Sequence, residues 1–314
     1  MKTLSTNNNI NDVYSQVTNF VMEQLEKGII IWRKGWNSKG FPKNIITGKP
    51  YRGWNVFFLN FITHLKGYAT PYFLTFKQAQ AKGGHIRKGE KGMRIVYWAK
   101  IENKEETGTD PAPTEESRRV RLVPRQYIVF NIAQAENIPL PENTEQPQIA
   151  IDSLAACDQI VTNMPDAPEI RYQGDSAWYS PARDLVNIPE KQLFKSTEEH
   201  YCTLFHELAH STGHTSRLNR KELITSDGYG GELYSKEELT AELTAAFLCA
   251  VGGIEQGNTL INSAAYIQGW LQSFKNDKTM IIKAAAQAQK AADYILNRIA
   301  EEIETPPVKE LIEV

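Results

Sequence analysis

Residues 206–210 read His-Glu-Leu-Ala-His, and four of the six histidines, His200, His206, His210 and His214, fall within fifteen residues. On an α-helix His206 and His210 stand one turn apart on one face, so both imidazoles can reach a single cation at about 2.0–2.1 Å. Glu207 is placed to take a proton from water at that cation rather than to ligate it, which is the hydrolytic arrangement of zinc peptidases. A catalytic ion needs a third protein ligand and an open position. The metzincin continuation would put a histidine six residues after His210, but that position is Ser216, and only Gly213 of that pattern is in place. Segment 234–242, Tyr-Ser-Lys-Glu-Glu-Leu-Thr-Ala-Glu, instead brings Glu238 and Glu242 to one helix face. Glu238 is expected to bind the metal and Glu242 to accept the outer N–H of a ligand histidine, with the reverse assignment open. Glu237, about 100° round the helix, is expected to face solvent. His214 is expected at the surface or as a cap, His200 in a structural role, and Tyr229 or Tyr234 as a phenol donor to a developing oxyanion.

The elements that must position these groups follow from apolar spacing. Tyr201, Leu204, Phe205 and Leu208 predict a helix over 198–211 stopped by Gly213, and Leu239, Leu243, Ala246 and Phe247 make the second metal-bearing segment a core helix. A helix over 152–163, strand-like pieces at 170–172 and 177–179, and long helices over 258–274 and 278–302 complete that half.

The first half has another character. Residues 1–140 carry 21 Lys and Arg against 11 Asp and Glu, and residues 141–314 carry 14 against 26, so a net charge of −2 conceals a basic half and an acidic half. The basic half also holds 18 of the 31 aromatic residues. Positive charge that tracks phosphates, interleaved with rings that stack on unpaired bases, suits single-stranded nucleic acid. Trp32, Arg33, Lys34, Trp36, Lys49, Tyr51, Arg52, Trp54, Arg87, Lys88 and Lys91 are the candidates for that surface, whereas Phe57, Phe58, Phe61 and Phe76 read as core. Helices are expected over 13–25, 56–65 and 74–81, the last stopped by Gly83-Gly84. A strand is expected over 93–98 with its partner over 127–130, a solvated acidic loop over 103–117, and a linker over 136–147. The run Gly48-Lys49 lacks the rest of a phosphate-binding P-loop.

Length allows two domains, each with its own core. Cys157, Cys202 and Cys249 show no paired spacing and read as buried thiols of a reducing compartment. Neither a signal-type leader nor an 18-residue apolar run occurs, so a cytoplasmic protein without a membrane partner is expected.

With both halves read, the chain resembles the ArdC-type antirestriction proteins of conjugative plasmids. In the first half the resemblance rests on Leu25-Glu-Lys-Gly28 before Trp32, Pro42-x-Asn44-x-x-Thr47-Gly-Lys-x-Tyr51-Arg-Gly-x-Asn55, Thr75-x-x-Gln78-Ala79, Lys88-Gly-Glu-Lys91 and Phe130-Asn-x-x-Gln134. In the second it rests on Tyr179-x-Pro181-x-x-Asp184, His206-Glu-Leu-x-His210-x-Thr-Gly213, Arg217-Leu-x-Arg220 and Glu237-Glu-Leu-x-Ala-Glu242. Ile31 departs from the family's usual proline before the tryptophan. The resemblance implies an α+β protein of two domains: a small mixed single-stranded-DNA-binding domain over 1–135, then a helix-rich zincin-like metallopeptidase domain over 148–314. The two-histidine, one-carboxylate donor set suits Zn²⁺, with Mn²⁺ or another divalent ion as the alternative. The resemblance implies protection of transferred DNA from host restriction but supplies no peptidase substrate, for which host restriction or regulatory proteins are the expected candidates. Against the enzyme stands a second reading, a non-enzymatic protein that occludes single-stranded DNA and whose metal is structural or regulatory.

Overall fold

The computed structural model describes residues 5–33, 40–102, 120–140, 153–224, 232–254 and 264–298. Lys34, Trp36, the loop 103–117, linker residues 141–147 and Tyr229 lie outside them. The chain is α+β.

Helix α1 (Ser5–Glu26) buries Val13, Val17, Val21 and Leu25 along one stripe and ends where Gly28 takes a positive φ. A 3₁₀ turn, Ile31–Arg33, follows with Ile31 and Trp32 fully buried, so isoleucine in the proline position is accommodated as core. Strand β1 (Lys43–Asn44) precedes α2 (Trp54–Leu65), then come β2 (Tyr72–Thr75), α3 (Phe76–Ala81), β3 (His85–Ile86), β4 (Met93–Glu102), β5 (Val120–Asn131) and β6 (Ala135–Glu136). The main sheet has the order β1-β2-β5-β4, with β1 parallel to β2 and the other pairs antiparallel, while β3 pairs with β6. The helix expected from residue 74 begins only at Phe76. Phe73 and Leu74 are buried in the sheet, and a reciprocal Thr75–Gln78 capping box starts α3.

The second half runs α4 (Ser153–Thr162), β7 (Glu169–Tyr172), β8 (Trp178–Ser180), β9 (Leu185–Ile188), α5 (Thr197–Ser211), α6 (Lys221–Ile224), α7 (Glu232–Val251), α8 (Ala264–Asn276) and α9 (Met280–Ile295). Its sheet has the order β7-β9-β8, and the central β9 was not expected from the sequence. All four of its residues are buried, so it lacks the alternation that marks a half-exposed strand. The last helix stops at Ile295 rather than 302, because Asn297 enters the left-handed region and its N–H bonds the Tyr294 carbonyl.

The halves do not close separate cores. One apolar cluster runs from Val13, Trp32 and Phe57 through Leu204, Phe205 and Leu243 to Ile281 and Ala292. Polar links cross the same boundary: Thr18 Oγ1 donates to the Lys278 carbonyl at 2.6 Å, Arg52 pairs with Asp293, and the Gly53 N–H donates to Gln289 Oε1 at 3.1 Å. Among the described residues no helix is long and apolar enough to cross a membrane.

Candidate metal centre

Helix α5 starts at Ser196, whose hydroxyl accepts the Glu199 N–H, with Glu198 and Glu199 in its first turn where the helix dipole favours negative charge. Its buried face packs on α7, and the two histidines meet the α7 carboxylates in the seam. His206 Nε2 and His210 Nε2 stand 3.1 Å apart, and Glu238 approaches them at 3.5 Å and 3.4 Å. Those contacts run to different oxygens, Oε2 for His206 and Oε1 for His210, and one donor atom from each of the three residues lies within 4.8 Å of the others, close enough to share one ion. The same three residues form the only convergent metal-type group among the described residues. Burial works to lower the pKa of both imidazoles, but Glu238 outweighs it and both are raised. Burial works to raise Glu238, and His210 and His206 outweigh it, so the carboxylate stays ionised well below its usual range. The donor set thus suits a divalent cation.

Each histidine has a carboxylate behind it. His210 Nδ1 lies 3.2 Å from Glu237 Oε1, and Arg220 grips both oxygens of Glu237 while also donating to the Ala209 carbonyl. Against its burial, His210 and Arg220 bring the Glu237 pKa down to about 2. The expectation that Glu237 is solvated is therefore corrected: it is 4 % exposed. An imidazole's two nitrogens point to opposite sides, so two consecutive α7 residues straddle His210, Glu238 at Nε2 and Glu237 at Nδ1. Gly213 also has a different reason from a simple stop. A Cβ there would lie 2.9 Å from Leu223 Cδ2 and 3.0 Å from Arg220 Nη2, so glycine leaves the passage through which Arg220 reaches Glu237.

Glu242 is buried with Oε2 3.8 Å from His206 Nδ1, and its Oε1 accepts Arg33 Nε at 2.7 Å. Glu207 is 8 % exposed beside the ligands. His214 sits off the helix with Nδ1 2.8 Å from Ser216 Oγ. His200 packs among Tyr172, Phe194 and Tyr201. The loop after α5 is held by a network the sequence reading did not assign: Arg217 binds Asp184 and donates to the Ser211 carbonyl, while Tyr179 donates to Asp184.

The candidate nucleic-acid residues divide. Trp32 is fully buried edge-on against Trp270, and Trp54 is 4 % exposed and stacked on Phe58, which corrects the expectation that these rings are open for stacking. Tyr51 packs edge-on against Phe73, and burial pushes its phenol far up. Arg33 and Arg52 are spent on Glu242 and Asp293 of the acidic half. Alternating basic and aromatic residues look alike whether they face a phosphate or a buried carboxylate, and only the fold separates the two. Lys49, Arg87, Lys88 and Lys91 are exposed, with Arg87 bonded to Glu90. Lys91 also edges a half-open pocket of about 540 Å³ between α1, α2 and β4, with Phe20, Trp54 and Phe58 in its wall and Lys66 and Arg94 beside it.

Residues 155–287 match the family model described as a zincin-like metallopeptidase, and residues 11–130 match that of the N-terminal domain of anti-restriction factor ArdC. The chain is similar to DNA primase TraC of Escherichia coli, 34 % identical over 96 % of this chain, but it spans only 28 % of that primase. It is 31 % identical to the uncharacterized protein y4eC of Sinorhizobium fredii, covering 90 % of this chain and 91 % of that one. Among solved structures, the metal-free antirestriction protein ArdC of plasmid R388 aligns with TM-score 0.70 and 36 % identity over 90 % of this chain and 96 % of that one. Its Mn(II)-bound form aligns with TM-score 0.69 and 33 % identity over 93 % and 99 %.

Proposed function

Because the chain belongs to the ArdC antirestriction family, we propose that its basic half holds single-stranded DNA while its metal centre hydrolyses a protein nearby, protecting transferred DNA from restriction. The observation that carries the hydrolytic reading is the convergence of His206 Nε2, His210 Nε2 and the Glu238 carboxylate, whose two oxygens lie 3.5 Å and 3.4 Å from the two histidines. These three residues would hold a divalent ion, zinc or manganese, and the R388 ArdC protein is known in an Mn(II)-bound form. When bound, the ion supplies Lewis acidity at that point. Glu207 acts as the general base that accepts a proton from the attacking water and passes it to the leaving amine. Glu237 and Arg220 hold the His210 ring and its tautomer. The pocket edged by Lys66, Lys91 and Arg94 supports the DNA reading, since it gathers exposed cationic groups that can meet phosphates. Domain limits near 135 and 148 belong to this proposal, supported by matched models that cover residues 11–130 and 155–287.

A second reading, DNA occlusion with a structural metal, is favoured by the burial of both histidines, 8 % and 9 % exposed. Glu207→Gln separates the two. Hydrolysis of host restriction and regulatory proteins, measured with and without single-stranded DNA, is expected to fall by about 10²–10⁴-fold while the metal is retained. If that variant protects DNA from restriction as well as the parent, proteolysis is not the mechanism.

A further inference from the structure

His206 and His210 are backed in parallel ways. Behind His210 stands Glu237, gripped by Arg220 of the same half. Behind His206 stands Glu242, gripped by Arg33, 209 residues earlier in the chain. Arg33 Nε and Nη2 both lie 2.7 Å from Glu242 Oε1, and the two side chains are 6 % and 2 % exposed. With Oε1 taken, Oε2 is the oxygen turned toward the His206 ring. His206 Nδ1 is buried and has no hydrogen-bond partner among the described residues, although the oxygen 3.8 Å away is of the type it needs. A metal-ligating histidine donates its outer N–H to such a carboxylate, which fixes the tautomer that leaves Nε2 free to bind. A buried ion pair is costly to desolvate, so its retention across the two halves is better explained by what it orients than by stability. Ile31 and Trp32, both fully buried, anchor the backbone from which Arg33 reaches.

We infer that Arg33 is a positioning residue of the metal centre: the basic half supplies the guanidinium that holds Glu242 against His206, so that metal affinity depends on where the 29–33 segment sits. The dependence is reciprocal, and whatever displaces that segment loosens the metal, while the metal holds the segment in place. This rests on His206, His210 and Glu238 being the metal ligands.

Mn²⁺ binding by the full chain, measured by calorimetry or by electron paramagnetic resonance, tests it. Arg33→Met is expected to weaken Mn²⁺ by about tenfold or more, Arg33→Lys to restore part of the loss, and Arg33→Met with Glu242→Gln to lose no more than the worse single change. Histidine nitrogen resonances of the Zn²⁺-loaded protein supply a second readout. Arg33→Met should shift His206 Nδ1 and leave His210 Nδ1, held by Glu237, in place, whereas general loosening of the fold would move both. Undiminished Mn²⁺ affinity in Arg33→Met, or losses that multiply in the double variant, overturns the role of Arg33 alone. A parent protein that binds no Mn²⁺, or binds it equally well as His206→Ala, overturns the metal reading and this inference with it.

Discussion

At the scale of single residues, what separates the four clustered histidines is what surrounds each ring. His206 and His210 face carboxylates. His200 instead lies in an aromatic nest, 3 % exposed, with Nδ1 lacking a hydrogen-bond partner among the described residues. Burial, followed by the charge of Lys191, lowers its pKa, and Asp158 opposes them only in part. The unfolded chain therefore binds a proton at about pH 6.5 that the folded protein refuses, so stability is full above that pH and is lost as pH falls. His200→Phe keeps the ring packing and removes the titration. Thermal unfolding between pH 8 and pH 5 should show a steeper loss of Tm in the parent than in this variant; parallel curves would assign the acid sensitivity to other groups.

At the scale of elements, several family motifs prove to be joints between helices and strands. The Asn55 amide, in the first turn of α2, clamps β4 by accepting the Val96 N–H at 2.9 Å and donating to the Val96 carbonyl. Asn44 caps its own turn and bonds Gln78, and Gln134 ties its 3₁₀ turn to Glu90 and the Lys91 carbonyl. Asn55→Ala strands both buried Val96 groups and is expected to cost about 1–3 kcal/mol, read from denaturant unfolding with the slope unchanged. Less than about 0.5 kcal/mol would mean that water replaces the amide. These polar residues carried a recognisable spacing but no local sign of whether they grip a ligand or the chain itself.

At the scale of the whole molecule, the opposed charges of the two halves are partly consumed within the protein, in Arg33–Glu242 and Arg52–Asp293. The cations left at the surface are the ones to test against DNA. Lys66→Glu and Arg94→Glu should each weaken single-stranded DNA and reduce the salt slope by about one phosphate contact or less. Trp32→Phe should lower Tm without changing affinity, and a fall in affinity there would return that ring to the DNA surface. Since the candidate metal ligands lie on α5 and α7, whose apolar faces belong to the core that both halves share, Mn²⁺ at 100 times its dissociation constant should stabilise the entire chain by about 2.7 kcal/mol. One unfolding transition that shifts as a unit on chelation is expected; two transitions, only one of them metal-dependent, would show that the halves fold independently.

The candidate metal chemistry is written locally in the chain, because ligand type and a one-turn spacing are local properties: His206, Glu207 and His210 follow from helix geometry, and a third ligand follows as one of the pair Glu238 and Glu242. The sequence by itself also determined the helices with clear apolar stripes and, through motif spacing, the family. Which carboxylate stands behind which histidine emerges from the fold, where Arg220 grips Glu237 and Arg33 grips Glu242, and neither arginine lies on α7. Only the tertiary structure likewise decided that β9 exists, that Trp32 and Trp54 are core, and that the two halves share one interior. These properties depend on what a side chain meets across the fold, and neither burial nor an ion-pair partner 209 residues away leaves a periodic trace in the chain.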